Sequence, residues 1–461
     1  MSRSDWGNFS KICLGFLLVT FVVLSLLFSR VPGVGGELMS GDAVGAYSRG
    51  IESGIVSNWH SSLFIYECIA LKKAVMFLLG WDLSGIEVLR LAWYGFSLLM
   101  LVSMLCLETR LVRQGWIWGL AFPCCICVSL KLTLADLPVG LDYFFVCLLW
   151  LMLSALVEYF SSISTEKRLV WMTVMLFALI HLVSYRKNSA IIVPVLAACL
   201  LYSVPRFKQL SWPKKLTAWL GSVGLFTIVA FTWVDVLLPV KREHPLIPMM
   251  ESDVRIASIL RGEQDVFRKQ GFYTSVGHPA EKGMVAYWFI SQVAENKWSE
   301  YVNLYIKEWL THPDTMITSA LIQRAQFYCG GENWNILKKV VESRYPIVKE
   351  NPHAWSFVVS STPPFRRAFW ICLSMVSTVV CATLYSKRKI RLPIFVVCVS
   401  SGVMAIVYSC SYLLVVPTPD ARYLAPSYMF AVVSVLVLVA DMLQLIWHRL
   451  FQKDELARVP E

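Results

Sequence analysis

Apolar stretches of about 17 to 25 residues, each long enough to cross a bilayer as a helix, recur along the chain between short polar links. They predict membrane-spanning helices near 11–29, 86–107, 116–132, 139–158, 168–184, 189–204, 216–238, 366–386, 392–416 and 424–447. The pattern describes an all-α polytopic membrane protein with about ten transmembrane helices. Two regions break it. Segment 61–80, SSLFIYECIALKKAVMFLLG, carries Glu67, Lys72 and Lys73. It reads as an interfacial helix whose lysines snorkel to the headgroups. Residues 239–365 are too polar to lie in lipid and read as one large helical extracytoplasmic loop. There ENKWSEYVNLYIKEWLTHP sets Trp298, Tyr301, Val302, Tyr305, Ile306 and Trp309 at helical spacing, and His312-Pro313 stops the helix. Asp314 then reads as the N-cap of a second helix that closes on Gly330-Gly331.

Composition agrees: of 461 residues, 57% are hydrophobic and only 16% charged, a balance foreign to soluble proteins. The net charge of +11 does not point to nucleic acid, because the basic residues fall in clusters between spans. One set of connections holds Arg110 with Arg113, Lys167 with Arg168, PRFKQLSWPKK at 205–215, KRKIR at 387–391 and the tail with Arg449, Lys453 and Arg458. The positive-inside rule makes that set cytoplasmic, together with both termini. The opposite set is then extracytoplasmic: the first loop (30–62), TLADLP (133–138), YRKNS (185–189), PTPDARYLAP (417–426) and the long loop. The first apolar run resembles a signal peptide, but VPGVGG after Arg30 is a poor cleavage context, so it reads as a retained helix.

Thirteen cysteines do not make a disulfide framework here. Cys147, Cys199, Cys372, Cys381 and Cys398 lie inside apolar runs and read as small helix-packing residues. The cluster Cys124, Cys125, Cys127 has neither a histidine nor a second pair nearby, and Cys329 is alone in the long loop. No metal and no cofactor is expected.

The candidate chemistry gathers on one side. The extracytoplasmic loops hold Asp42, Glu52 and His60, then Lys131 and Asp136, then Arg186, Lys187 and Asn188, and finally Asp420 with Arg422. Groups near the ends of spans converge at one depth when the helices bundle, whereas the cytoplasmic loops hold mainly Lys and Arg. Acids beside several cations at a lipid boundary suit one task. The guanidinium groups hold a lipid-linked phosphate bidentately and neutralise charge on it as it leaves. A carboxylate takes the proton from an acceptor hydroxyl. Two other classes share parts of this outline: an O-antigen polymerase, with basic outer loops but no acid at the first helix's mouth, and a polysaccharide transporter or flippase, which needs intramembrane charges or an inverted repeat.

GDAVGAYSRG after the first helix, SNWHSS, LTLADLP, YRKNS, LTHPDT and PTPDARYLAP together resemble the GT-C superfamily of polytopic glycosyltransferases. More narrowly, the chain is similar to bacterial members that decorate O-antigen, the serotype-converting glucosyltransferases among them. The resemblance implies residence in the bacterial inner membrane with the active site facing the periplasm. It implies a polyprenyl-phosphate-linked sugar donor, possibly of glucose, and a lipid-linked glycan acceptor. It matches Asp42 to the family's first-loop catalytic acid, with Glu52 a second catalytic candidate, and Arg422 to its late arginine near the lipid phosphate. His60, Lys131, Asp136, Arg186, Lys187 and Asp420 are the remaining substrate-binding candidates. Three regions follow: 1–238, an N-terminal transmembrane region with the first-loop catalytic segment at 30–80; 239–365, the helical loop domain; and 366–461, a C-terminal transmembrane region and cytoplasmic tail.

Overall fold

The computed structural model describes residues 43–56, 61–113, 118, 121–126, 141–185, 192–203, 207, 209–240, 247–263, 266–270, 297–325, 339–340, 342–346, 364–415 and 421–451. Every regular element among them is helical. Six helices are long and apolar enough to cross a membrane, with apolar parts Gly85–Val112, Tyr143–Ser161, Thr165–Tyr185, Ala368–Ser386, Leu392–Cys410 and Pro426–Trp447. They coincide with six of the ten expected spans. Of the other four, 11–29 lies outside the described residues and 116–132 is described only at 118 and 121–126. The last two coincide with the 12-residue helix Ile192–Ser203 and the 26-residue helix Trp212–Leu237, and neither is among the six.

The chain divides into two compact units, one of Met1–Lys241, Trp370–Tyr408 and Ala425–Glu461, the other of Arg242–Phe369 and Ser409–Leu424. In the first, a π-helical turn at Ala43–Tyr47 leads into α1 (Ser48–Ser53), which ends on Gly54 with φ +72°. Then come α2 (Ser62–Leu79), α3 (Gly85–Val112), α4 (Leu141–Ser161), α5 (Thr165–Tyr185), α6 (Ile192–Ser203) and α7 (Trp212–Leu237). Helix α4 is the centre: within its apolar part 83% of residues are buried.

The pairing order along these helices fixes their directions. Trp93 meets Tyr143, Phe96 meets Phe144 at 4.9 Å, Met100 meets Cys147, and Arg110 meets Glu158. Partners rise together in number, so α3 and α4 are parallel. Phe96 also meets Tyr185, the last residue of α5, so α5 runs the opposite way. The Arg110–Glu158 pair is a fork, Nε to Oε1 and Nη2 to Oε2, both at 2.6 Å.

The C-terminal helices α12 (Pro364–Ser386), α13 (Leu392–Val415) and α14 (Ala421–Phe451) are joined by small residues. Ser377 and Ser434 share a hydrogen bond of 2.7 Å, and the Ser434 hydroxyl donates to the Cys398 carbonyl at 2.9 Å. Such bonds let membrane helices approach closely and contribute about 0.6 kcal/mol each. Cys147, Cys381 and Cys398 are buried at these contacts as expected, but Cys372 is exposed and does not serve helix packing within the bundle. Phe145 stacks on Tyr408 and Trp150 meets Phe430, which seats α13 and α14 on α4.

The second unit contains α8 (Ile247–Arg261), α9 (Val266–Lys269), α10 (Trp298–Thr311) and α11 (Pro313–Ala325). Its core is Met250, Val254, Ala257, Phe267, Tyr301, Leu304 and Met316, with Phe267 and Tyr301 stacked at 4.0 Å. Arg261 ties three helical segments by donating to Glu308 at 2.9 Å, Thr315 at 3.1 Å and Glu263 at 3.1 Å. Two expectations are corrected here. Ile306 is 50% exposed while Leu304 fills the core, because the buried stripe of α10 passes through Tyr301, Leu304 and Glu308. Asp314 is not the N-cap: α11 starts one residue earlier, at Pro313, whose missing N–H costs nothing in a first turn. His312 stands between the two helices and its carbonyl accepts the Met316 N–H.

Candidate functional site

The first-loop segment is built onto the start of α3. Ser84 caps that helix reciprocally with Glu87: its hydroxyl accepts the Glu87 N–H, and Glu87 Oε2 accepts the Ser84 N–H at 2.8 Å. Gly85, the first helical residue, keeps one orphan N–H. Glu52 Oε1 accepts it at 3.0 Å, placing a carboxylate at the positive end of the helix. The approach is close: a Cβ on Gly85 would lie 2.4 Å from the Ser48 carbonyl oxygen. Glu52, one of the two expected catalytic acids, is thus an exposed residue with one oxygen engaged in holding α3.

Helix α2 is buried over its first half and exposed over its last turns. Leu63, Phe64, Ile65 and Cys68 are buried, whereas Met76, Phe77, Leu78 and Leu79 are all at least 54% exposed. The snorkelling expectation changes for one lysine, since Lys72 pairs with Asp82 at 3.3 Å. Burial, aided by the neighbouring Glu67, pushes the Cys68 thiol well above its ordinary range, so it is no nucleophile. Phe64 is the hub, with Tyr47, Phe144 and Tyr185 around it at 6.0, 4.7 and 5.4 Å.

One turn along α2 stands a polar cluster that sequence reasoning missed. Glu67 Oε1 meets His181 Nε2 at 2.9 Å, and Glu67 Oε2 accepts the Tyr185 hydroxyl. His181 Nδ1 faces the Phe177 carbonyl at 2.8 Å. A carbonyl only accepts, so Nδ1 carries a hydrogen and a single proton lies on the Nε2–Oε1 line, whichever atom owns it. The available signal was a glutamate and a histidine each set inside an apolar run, a costly placement that asks for a partner.

Of the expected site residues, only Glu52 has a described side chain. Asp42, His60, Lys131, Asp136, Arg186, Lys187 and Asp420 lie outside the described residues, and Arg422 is described only as backbone in the first turn of α14. Their flanking helices are nonetheless informative. The start of α4 and the end of α5 meet around Phe64, with Phe96, near the middle of α3, against both. The chain that leads into α4 carries Lys131 and Asp136, and the chain that leaves α5 carries Arg186 and Lys187. The first turn of α4 and the last turn of α5, which those segments adjoin in sequence, thus lie beside Phe64, against which Tyr47 of the first loop also packs.

Two other features bear on the chemistry. Among the described residues no group of three His, Cys, Asp or Glu side chains is arranged to hold a metal ion. A crevice between α4, α6 and α13, lined by Leu156, Ile192, Leu196, Val399, Met404 and Val407 among others, is apolar apart from Ser400. No family model, no curated protein and no solved structure matches the chain.

Proposed function

We propose that the protein is a GT-C-type membrane glycosyltransferase that moves a sugar from a polyprenyl-phosphate donor to a surface glycan such as O-antigen, on the extracytoplasmic face of the bacterial inner membrane. One observation supports the reading: the first turn of α4, the last turn of α5 and Tyr47 of the first loop gather around Phe64, and the sequence next to each carries the expected acid and cations. An acid and several cations at one membrane boundary are what this transfer needs.

In the proposed step Asp42 takes the proton of the acceptor hydroxyl as its oxygen attacks the anomeric carbon. The bond from that carbon to the donor phosphate oxygen breaks, its electron pair stays on the phosphate, and the anomeric centre inverts. Arg186 and Lys187 offset the charge that gathers on the leaving polyprenyl phosphate. Removing a positioned general base costs about a hundred- to ten-thousand-fold in rate. Asp42→Asn is therefore expected to bind donor and fail to transfer, at unchanged protein level in membranes. Glu52→Gln, which keeps an oxygen for the Gly85 N–H, is expected to stay active. The reverse pattern would make Glu52 the base and sink the assignment.

A second reading, a polysaccharide carrier, is favoured by the Glu67–His181 pair, since ionisable pairs among apolar helices serve proton-coupled transport. Sugar transfer by purified protein in detergent, where no gradient exists, separates the two; a carrier leaves the donor intact.

A further inference from the structure

We propose that Glu67 is a positioning residue for the basic pair Arg186–Lys187, bracing the end of α5 from which that pair departs. The inference rests on the transferase reading, in which the basic pair binds the donor phosphate.

Both carboxylate oxygens of Glu67 are spent on α5, one on His181 Nε2 and the other on the Tyr185 hydroxyl. His181 and Tyr185 are four residues apart and share a face, so the carboxylate spans the last turn of the helix. Tyr185 is the final residue of α5, only 3% exposed, with Phe64 and Phe96 against its ring at 5.4 and 6.1 Å. Arg186 follows directly, and no residue between them absorbs a displacement. At the other end of the brace, α2 is fixed to the segment that begins right after Asp42. Tyr47 packs edge-on against Phe64, and a Cβ on Gly50 would lie 3.3 Å from the Ile65 side chain. Glu67 thus links the phosphate-binding motif to the segment that carries the proposed base. Holding two reacting partners at a set separation is worth large factors in rate, and a misplacement of 1 Å costs up to about a hundredfold.

The proton arithmetic supplies a discriminating substitution. A glutamine at position 67 keeps both bonds: its oxygen accepts the Tyr185 hydroxyl, and its amide donates to Nε2 of an imidazole already carrying its hydrogen on Nδ1. A carboxylate needed for proton transfer has no such substitute, so glutamine separates positioning from chemistry.

The test uses the full-length protein in lipid nanodiscs with a polyprenyl-phosphate sugar as donor. Glu67→Gln is expected within about threefold of the parent in both kcat and donor KM, while Glu67→Leu raises donor KM about tenfold with kcat changed less than about threefold. Tyr185→Phe, which keeps the ring and its packing, is expected to raise donor KM in the same direction. The double variant Glu67→Leu/Tyr185→Phe should be no worse than Glu67→Leu alone, because both break one link. Loss of transfer in Glu67→Gln as complete as in Glu67→Leu overturns the proposal, as does an unchanged KM in both Glu67→Leu and Tyr185→Phe. A parent that transfers no sugar defeats the transferase reading separately. Positioning is then read from a cysteine at Asn188, labelled with a membrane-impermeant maleimide and compared with the chain lacking Asn188→Cys. Tyr185→Phe and Glu67→Leu should speed its labelling at least about threefold and Glu67→Gln should not; equal rates in all three overturn the proposal.

Discussion

At the scale of single residues, glycine 85 shows how tightly the first loop is seated. The atom its Cβ would strike, the Ser48 carbonyl oxygen at 2.4 Å, belongs to the backbone and cannot rotate aside. Gly85→Ala is expected to destabilise by about 1–3 kcal/mol, the usual range for overpacking, and to loosen α1 from α3. Gly224, in α7, has nothing within 4 Å of the same construction. There Gly→Ala is expected to stabilise by about 0.5–1 kcal/mol through helix propensity. Thermal unfolding of the two variants in one detergent checks the contrast; equal shifts would mean that α1 does not rest on Gly85. The two first-loop acids with described side chains make a similar contrast. Glu52 and Glu67 are only fifteen positions apart in sequence, yet one closes a helix terminus and the other braces a different helix. Their residue type announces a carboxylate; only the fold says which N–H or ring receives it.

Among elements, the Arg110–Glu158 fork ties α3 to α4, with side chains 26% and 11% exposed. Removing either partner takes two charge-assisted hydrogen bonds from the other, at a cost below the roughly 3–5 kcal/mol of a fully buried pair. Glu158→Leu and Arg110→Leu should each lower the unfolding midpoint, and the double variant should recover part of the loss; a double variant worse than both singles would show that the pair stabilises the fold on its own account. Helix boundaries like these were largely legible beforehand. Apolar runs placed α3, α4, α5, α12, α13 and α14 within a few residues, because length and hydropathy alone decide what lipid accepts. The stop at His312-Pro313 was equally plain, since proline ends the preceding helix by sterics. Direction and pairing were not legible. Nothing in the spacing of Arg110 and Glu158, forty-eight positions apart, says that they meet. Nor did periodicity reveal that Ile306 faces outward and Leu304 inward, since apolar residues stand on both sides of α10 and Phe267 and Met316, from other helices, decide which side is buried. The candidate site was legible as a set of loops and not as a geometry. The Glu67 brace was missed because Glu67 counted only as a charge that keeps segment 61–80 from spanning, and no partner was sought for it in the apolar run that holds His181.

At the scale of the whole molecule, charge makes a claim about sides. With basic clusters at 205–215 and 387–391 held in the cytoplasm, a reporter fused near Lys297 that works only in the cytoplasm should be silent. Activity there would reverse every loop and move the candidate site to the wrong face for a lipid-linked donor. The parallel pairing of α3 with α4 has a consequence for how the chain is made. Neighbouring antiparallel helices can close as a hairpin while they leave the translocon, but a parallel pair cannot. Helix α3 enters the bilayer with Arg110 and Ser97 still lacking Glu158 and Tyr143, their partners in the finished bundle. Those contacts form only once α4 has followed. The same step that pairs Arg110 with Glu158 brings Phe144 beside Phe96. Joining α3 to α4 and assembling the cluster around Phe64 are, in biogenesis, one event.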